Sequence, residues 1–225
     1  MSLSLQDELK EAFFDLDYDR LAELAGSALE LPVITDAERL AAALGFLVRG
    51  EMDRADPILA QIEYDGNVSF ADVAYVRAFR REMEGDYGGM VEELAPQLDS
   101  PTATHGELMR LRAADALVKL RRLDQIAETL GPLLEPPGCD ETLEAFLIVL
   151  EAQLLLPLDK DKVIELASQI DLLLERGFRI DEAHNVVYYA ELLERNRIEG
   201  LMEQLLVSHE DLLDQYKTDN EKEIE

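Results

Sequence analysis

The residues that could do chemistry in this 225-residue chain are few and scattered. His105, His184 and His209 make no H-E-x-x-H pair and no Cys/His cluster at metal-ligand spacing, so zinc chemistry has nothing to hold it. The single cysteine, Cys139, stands in the turn Pro136-Pro137-Gly138-Cys139-Asp140, where exposure is expected. It permits no internal disulfide, and its acidic neighbours oppose formation of a thiolate. The glycines of Gly85-Asp86-Tyr87-Gly88-Gly89 lack the Lys-Ser/Thr that follows a phosphate loop, and a turn between helices explains them. Asp159, Asp161 and Asp181 do not build a calcium loop, which needs alternating oxygen ligands and a central glycine. Paired carboxylates such as Glu82/Glu84 and Glu92/Glu93 read as solvated faces, because the chain carries 49 acidic residues. Asn67-Val68-Ser69 fits a glycosylation sequon, which has no meaning without a secretory signal. These residues predict no catalysis, no bound metal and no cofactor. Of the histidines, His105 is expected as a solvated turn residue and His184 as a hydrogen-bonded groove residue.

One concentration of charge stands out. Arg77, Arg80 and Arg81 share a helical face, and Arg110 and Arg112 follow one helix pair later, ahead of Lys119, Arg121 and Arg122. Guanidinium groups so grouped could hold a carboxylate or phosphate through bidentate hydrogen bonds. They could equally pair with the surplus of Asp and Glu and tie neighbouring helices together.

The elements that would position these groups repeat. Ala43, Ala78 and Ala114 are each followed twelve residues on by Ala55, Met90 and Ile126, and four later by Leu59, Leu94 and Leu130. Apolar residues at helical spacing within each half predict a helix-turn-helix unit about every 35 residues. In the clearest unit, Thr35 or Asp36 caps a helix with Glu38 in its first turn, and Leu40, Ala43, Leu44 and Leu47 form its apolar stripe. Gly50 ends that helix, Asp53 starts the next, and Asp65-Gly66 marks the turn out. Pro57 is read as a first-turn proline, whose missing N–H had no helical partner. Weaker copies flank this region: Leu5 to Phe13 with Leu21 to Ala28, Leu143 to Leu156 with Val163 to Leu174, and Glu182 to Leu193 with Ile198 to Leu212. The turn of the second pair falls at Pro157-Leu158-Asp159-Lys160. About six units, or twelve helices, fill residues 1–216 as one all-α solenoid domain, and the polar segment 217–225 is expected as a flexible charged tail.

Period and helix pairing resemble the tetratricopeptide repeat family, although consensus residues are sparse and the chain has no tryptophan. The second unit answers that pattern with Ala43, Phe46, Ala55 and Leu59, and the fourth with Ala114, Leu117, Ile126 and Leu130; the third has Arg81 where an aromatic is expected. The resemblance implies a right-handed superhelix whose first helices line a concave groove. Phe14, Leu44, Leu47, Val48, Tyr75, Phe79 and Met83 on those helices would then bind an apolar segment or amphipathic helix. The same side chains would serve equally as packing between helices. The clamp that some family members close on acidic chaperone tails is not expected, since Leu40 and Leu44 stand where its Lys and Asn would be.

Net charge is −28, with 21 basic residues. This sign opposes nucleic acid, whose binding rests on Lys and Arg, and it opposes anionic membranes. An acidic, Lys-poor surface suits a salt-rich cytoplasm. Asp7, Glu8 and Glu11 interrupt the start before any signal peptide could form, and a cytoplasmic location is expected. The leading expectation is a non-catalytic adaptor that binds another protein. The alternatives are a phosphopeptide- or anion-sensing module built on the Arg cluster, and a homodimer that uses the groove as its interface.

Overall fold

Two helices are buried on nearly every side, and each organises one half of the chain. The computed structural model describes residues 4–31, 33–62, 68–157 and 159–223. Among them it is all-helical, with thirteen α-helices and no strand. The predicted turn at Asp65-Gly66, the sequon residue Asn67 and Leu158 lie outside the described residues. The chain forms two compact units, residues 1–116 and 117–225.

In the first unit the central helix is α3 (Asp36–Val48), with ten of thirteen residues buried. A helix apolar all round must be covered all round, and α1 (Leu5–Phe14), α2 (Tyr18–Ala28), α4 (Met52–Leu59) and α5 (Phe70–Met83) pack around it. Thr35 caps α3 in a capping box: its N–H donates to Glu38 Oε2 at 2.7 Å, and the Glu38 N–H returns to Thr35 Oγ1. Gly50, at φ +74°, ends the helix as its sequence position predicts. Gly45 lies where α3 crosses α2, and a Cβ there would overlap the Leu21 carbonyl. The unit continues with α6 (Tyr87–Leu94) against α5, and with the first part of α7 (Gly106–Lys119).

In the second unit the central helix is α9 (Thr142–Leu154), buried along nine of its residues. Against it lie α8 (Ile126–Leu130), α10 (Lys160–Glu175) and α11 (Ala183–Arg195), and α12 (Glu199–Ser208) and α13 (Glu210–Glu223) follow. The packed pairs of α-helices include α8 with α9, α9 with α10, α10 with α12, α11 with α12 and α11 with α13.

All nine register residues, Ala43, Ala78 and Ala114 with their followers, are buried. Four boundaries differ from the sequence expectation. Pro57 sits in the second turn of α4 rather than the first, so it removes one hydrogen bond from a helix that ends two residues later. The second helix of the fourth unit shrinks to α8 and a 3-10 turn at Gly131–Leu134, because Pro132 cannot donate to a continuing ladder. Tyr87, Gly88 and Gly89, expected in a turn, form the first turn of α6, capped by the Asp86 carboxylate on the Gly89 N–H at 2.9 Å. The last helix breaks at His209, and α13 carries Lys217 to Glu223 as helix.

Candidate functional site

α5 carries most of the residues singled out from sequence, and its two faces have different fates. One face turns toward the α1–α2 corner and α7. There Tyr75 is fully buried, its hydroxyl 2.8 Å from that of Tyr18, and burial pushes its phenol pKa well up. One turn on, Phe79 is half-buried with its ring 6.0 Å from Tyr18. Arg112 of α7 lies over both the Tyr75 and Phe79 rings, donates to the Tyr18 hydroxyl at 3.3 Å, and pairs with Glu82. Its Nε is the one buried side-chain polar atom without a hydrogen-bond partner among the described residues. His105 completes this cluster between the Phe13 and Tyr75 rings, with Nε2 donating to the Phe13 carbonyl at 3.1 Å. It lies in a turn as expected but is half-buried rather than solvated, and that burial lowers its pKa.

This cluster decides what the expected groove residues can do. Leu44, Leu47 and Tyr75 are fully buried and present no surface to a partner. Phe79 is committed to Tyr18 and Arg112. Three apolar side chains of the expected set remain accessible: Phe14 at 69% exposure, Met83 at 38%, and half-buried Val48. Each is the last residue of its helix: Phe14 of α1, Val48 of α3 and Met83 of α5. Positions 14, 48 and 83 lie 34 and 35 residues apart, and α3 packs against both α1 and α5. They hold the same end position on three helices, and the residues that follow Phe14 and Met83, Asp15 and Glu84, are exposed.

The opposite face of α5 carries the arginines. Arg77, Arg80 and Arg81 line a cleft of about 340 Å3 shared with Asp56, Leu59 and Ala60 from the end of α4 and with Glu93 of α6. Arg80 is saturated: two of its nitrogens grip Asp56, and Nη1 donates to Glu84 at 2.6 Å. These bonds hold the Asp56 carboxyl below its ordinary pKa. Arg81 Nη1 donates to Asp86 at 3.1 Å. Arg77 makes no hydrogen bond or ion pair among the described residues. Arg110 and Arg112 do not join the cleft's lining. Arg110 donates to the Leu98 carbonyl at 2.9 Å and pairs with Asp99, while Arg112 belongs to the aromatic cluster. The acid surplus has thus claimed four of the five arginines, a pairing that sequence could only offer as one alternative.

Comparison with protein-family models, curated proteins and solved structures gives no match. The site therefore rests on its own geometry.

In the second unit, α9 and α11 are joined by Asn185 to Glu144 at 3.0 Å and by the Tyr188 hydroxyl to Glu151. His184 is exposed beside Glu182 at 3.1 Å, not enclosed in a groove, because it follows directly on the start of α11. His209 is buried: the Ile180 N–H donates to its Nε2 at 2.8 Å, leaving Nδ1–H for the Leu205 carbonyl at 2.8 Å. No local motif signals this role. Cys139 is partly covered, and burial raises its pKa, which keeps it a thiol. Among the described residues, no group of three or more His, Cys, Asp and Glu could hold a metal ion, and no helix is long and apolar enough to cross a membrane.

Proposed function

We propose that this chain is a tetratricopeptide-like helical-repeat adaptor, without catalytic activity, that holds a segment of another protein. The observation that carries the reading is the row of Phe14, Val48 and Met83 at equivalent ends of three successive first helices. Accessible apolar groups repeated at one structural position serve as anchors for a partner, since such anchors supply most of an interface's binding energy. Two packing features support the repeat arrangement: α1 with α2, α3 with α4, α5 with α6, α9 with α10 and α11 with α12 pack as sequence neighbours, and the first helices α1 and α5 both pack on α3. The partner segment is amphipathic and basic. With Asp15 and Glu84 beside the anchors and −28 overall, Lys and Arg around an apolar core would steer and seat it, whereas a second copy of this chain would be repelled.

The test is affinity capture with the full chain and with a Phe14→Glu/Met83→Glu variant. Both residues are exposed, so helicity by circular dichroism should be unchanged. A protein retained by the wild type and lost by the variant is the expected result. The same proteins on both columns, or a wild-type dimer on a sizing column that the variant abolishes, would overturn the reading.

A further inference from the structure

The cleft on the second face of α5 uses none of the residues of the apolar row, and its charges do not cancel in place. Arg80 is neutralised by Asp56 and Glu84, and Arg81 by Asp86. Two lining groups remain without a hydrogen bond or ion pair among the described residues: Arg77 on α5 and Glu93 on α6. Both are half-buried, they are opposite in sign, and they do not pair with each other across the cleft. No described carboxylate claims the Arg77 guanidinium, in a chain with 49 acidic residues. Leu59 and Ala60 add an apolar wall.

The arrangement selects among ligand charges. An anion could bond to Arg77 but would share the cleft with Glu93 and Asp56. A cation could approach Glu93 but would face Arg77. A molecule with a carboxylate and an ammonium on adjoining atoms satisfies both groups and leaves the cleft's net charge unchanged. About 340 Å3 accommodates such a molecule with a modest side chain.

We propose that this cleft binds a small zwitterion, a free α-amino acid with an apolar side chain. Its carboxylate lies on the Arg77 guanidinium, a planar fork suited to two parallel hydrogen bonds. Its ammonium lies on Glu93, and its side chain packs on Leu59 and Ala60. Arg81 turns its remaining donors toward the same carboxylate.

The experiment is a methyl and amide NMR titration of the full chain with four probes: L-leucine, N-acetyl-L-leucine, L-leucinamide and inorganic phosphate. L-Leucine should produce saturable shifts at the Leu59 methyls and the Ala60 amide. The two analogues, each lacking one charge, should bind at least about tenfold more weakly, as expected for loss of one charged hydrogen-bonded contact. Arg77→Gln and Glu93→Gln should each weaken L-leucine by a similar factor, with the rest of the spectrum unchanged. The double reversal Arg77→Glu/Glu93→Arg should recover part of the loss. If N-acetyl-L-leucine or phosphate binds as tightly as L-leucine, the cleft is an anion site and the proposal fails. It fails equally if L-leucine gives no saturable shift by about 50 mM, a concentration at which even a millimolar site fills.

Discussion

Arg112 is the residue on which the first unit closes. Its 17%-exposed side chain reaches Glu82, the Tyr18 hydroxyl and two aromatic faces, so it joins the α1–α2 corner, α5 and α7 at one point. Sequence singled it out as a basic residue but could not tell a ligand contact from an internal tie, because that depends on which carboxylate folds beside it. His209 was less legible still, since nothing local marks a histidine that accepts a hydrogen bond from a distant amide. It leads to a prediction. Nε2 accepts the Ile180 N–H, so protonation would set two donors against each other. Burial lowers the His209 pKa, the Leu205 carbonyl and Asp181 oppose that shift, and Arg179 adds to it. A lowered histidine pKa means the unfolded chain takes up the proton first. The stabilisation is therefore full above the ordinary value near 6.5 and is lost as pH falls below it toward the folded value. Hydrogen exchange at the Ile180 amide, corrected for its intrinsic rate, should show lower protection at pH 5.5 than at 7.5. Equal protection at both would remove His209 from this role.

At the scale of elements, the helices were legible because burial imposes period. Small and apolar residues at Ala43, Ala78 and Ala114 must recur wherever a first helix meets its neighbours, and the capping residues of α3 announce its start. Breaks set by distant partners were not legible. α12 ends at His209 because that residue leaves helical geometry, φ −119° and ψ 20°, while it bonds to Ile180. The α2–α3 crossing was also hidden, because Gly45 reads from sequence as one more small residue in an alanine-rich helix. Its absent Cβ is what lets α3 approach the Leu21 carbonyl. Gly45→Ala should therefore destabilise the first unit by about 1–3 kcal/mol, the usual cost of overpacking, despite the gain in helix propensity. Urea denaturation would measure it, and a variant as stable as wild type would show that α2 and α3 separate without cost.

For the whole molecule, composition and periodicity were enough to reach the all-α class, but not the division at residues 116 and 117. That boundary falls inside α7, where no glycine, proline or polar run marks it. The charge balance carries its own prediction. Many of the 21 basic residues are already held in short ion pairs, so most of the acidic surplus repels itself across the surface. Raising salt from about 0.05 to about 0.5 M shortens the screening length severalfold, and the melting temperature should rise. A fall would mean that the ion pairs outweigh the repulsion.

On the proposed reading, the row of Phe14, Val48 and Met83 would also act as a ruler. Neighbouring packed helices lie about 8–10 Å apart, and that spacing becomes the interval between anchors. A helical ligand rises about 1.5 Å per residue and would meet successive anchors about every fifth to seventh residue. An extended ligand, rising about 3.3 Å, would meet them about every third. The period of apolar residues in whatever sequence binds here would thus reveal its conformation before any complex is solved.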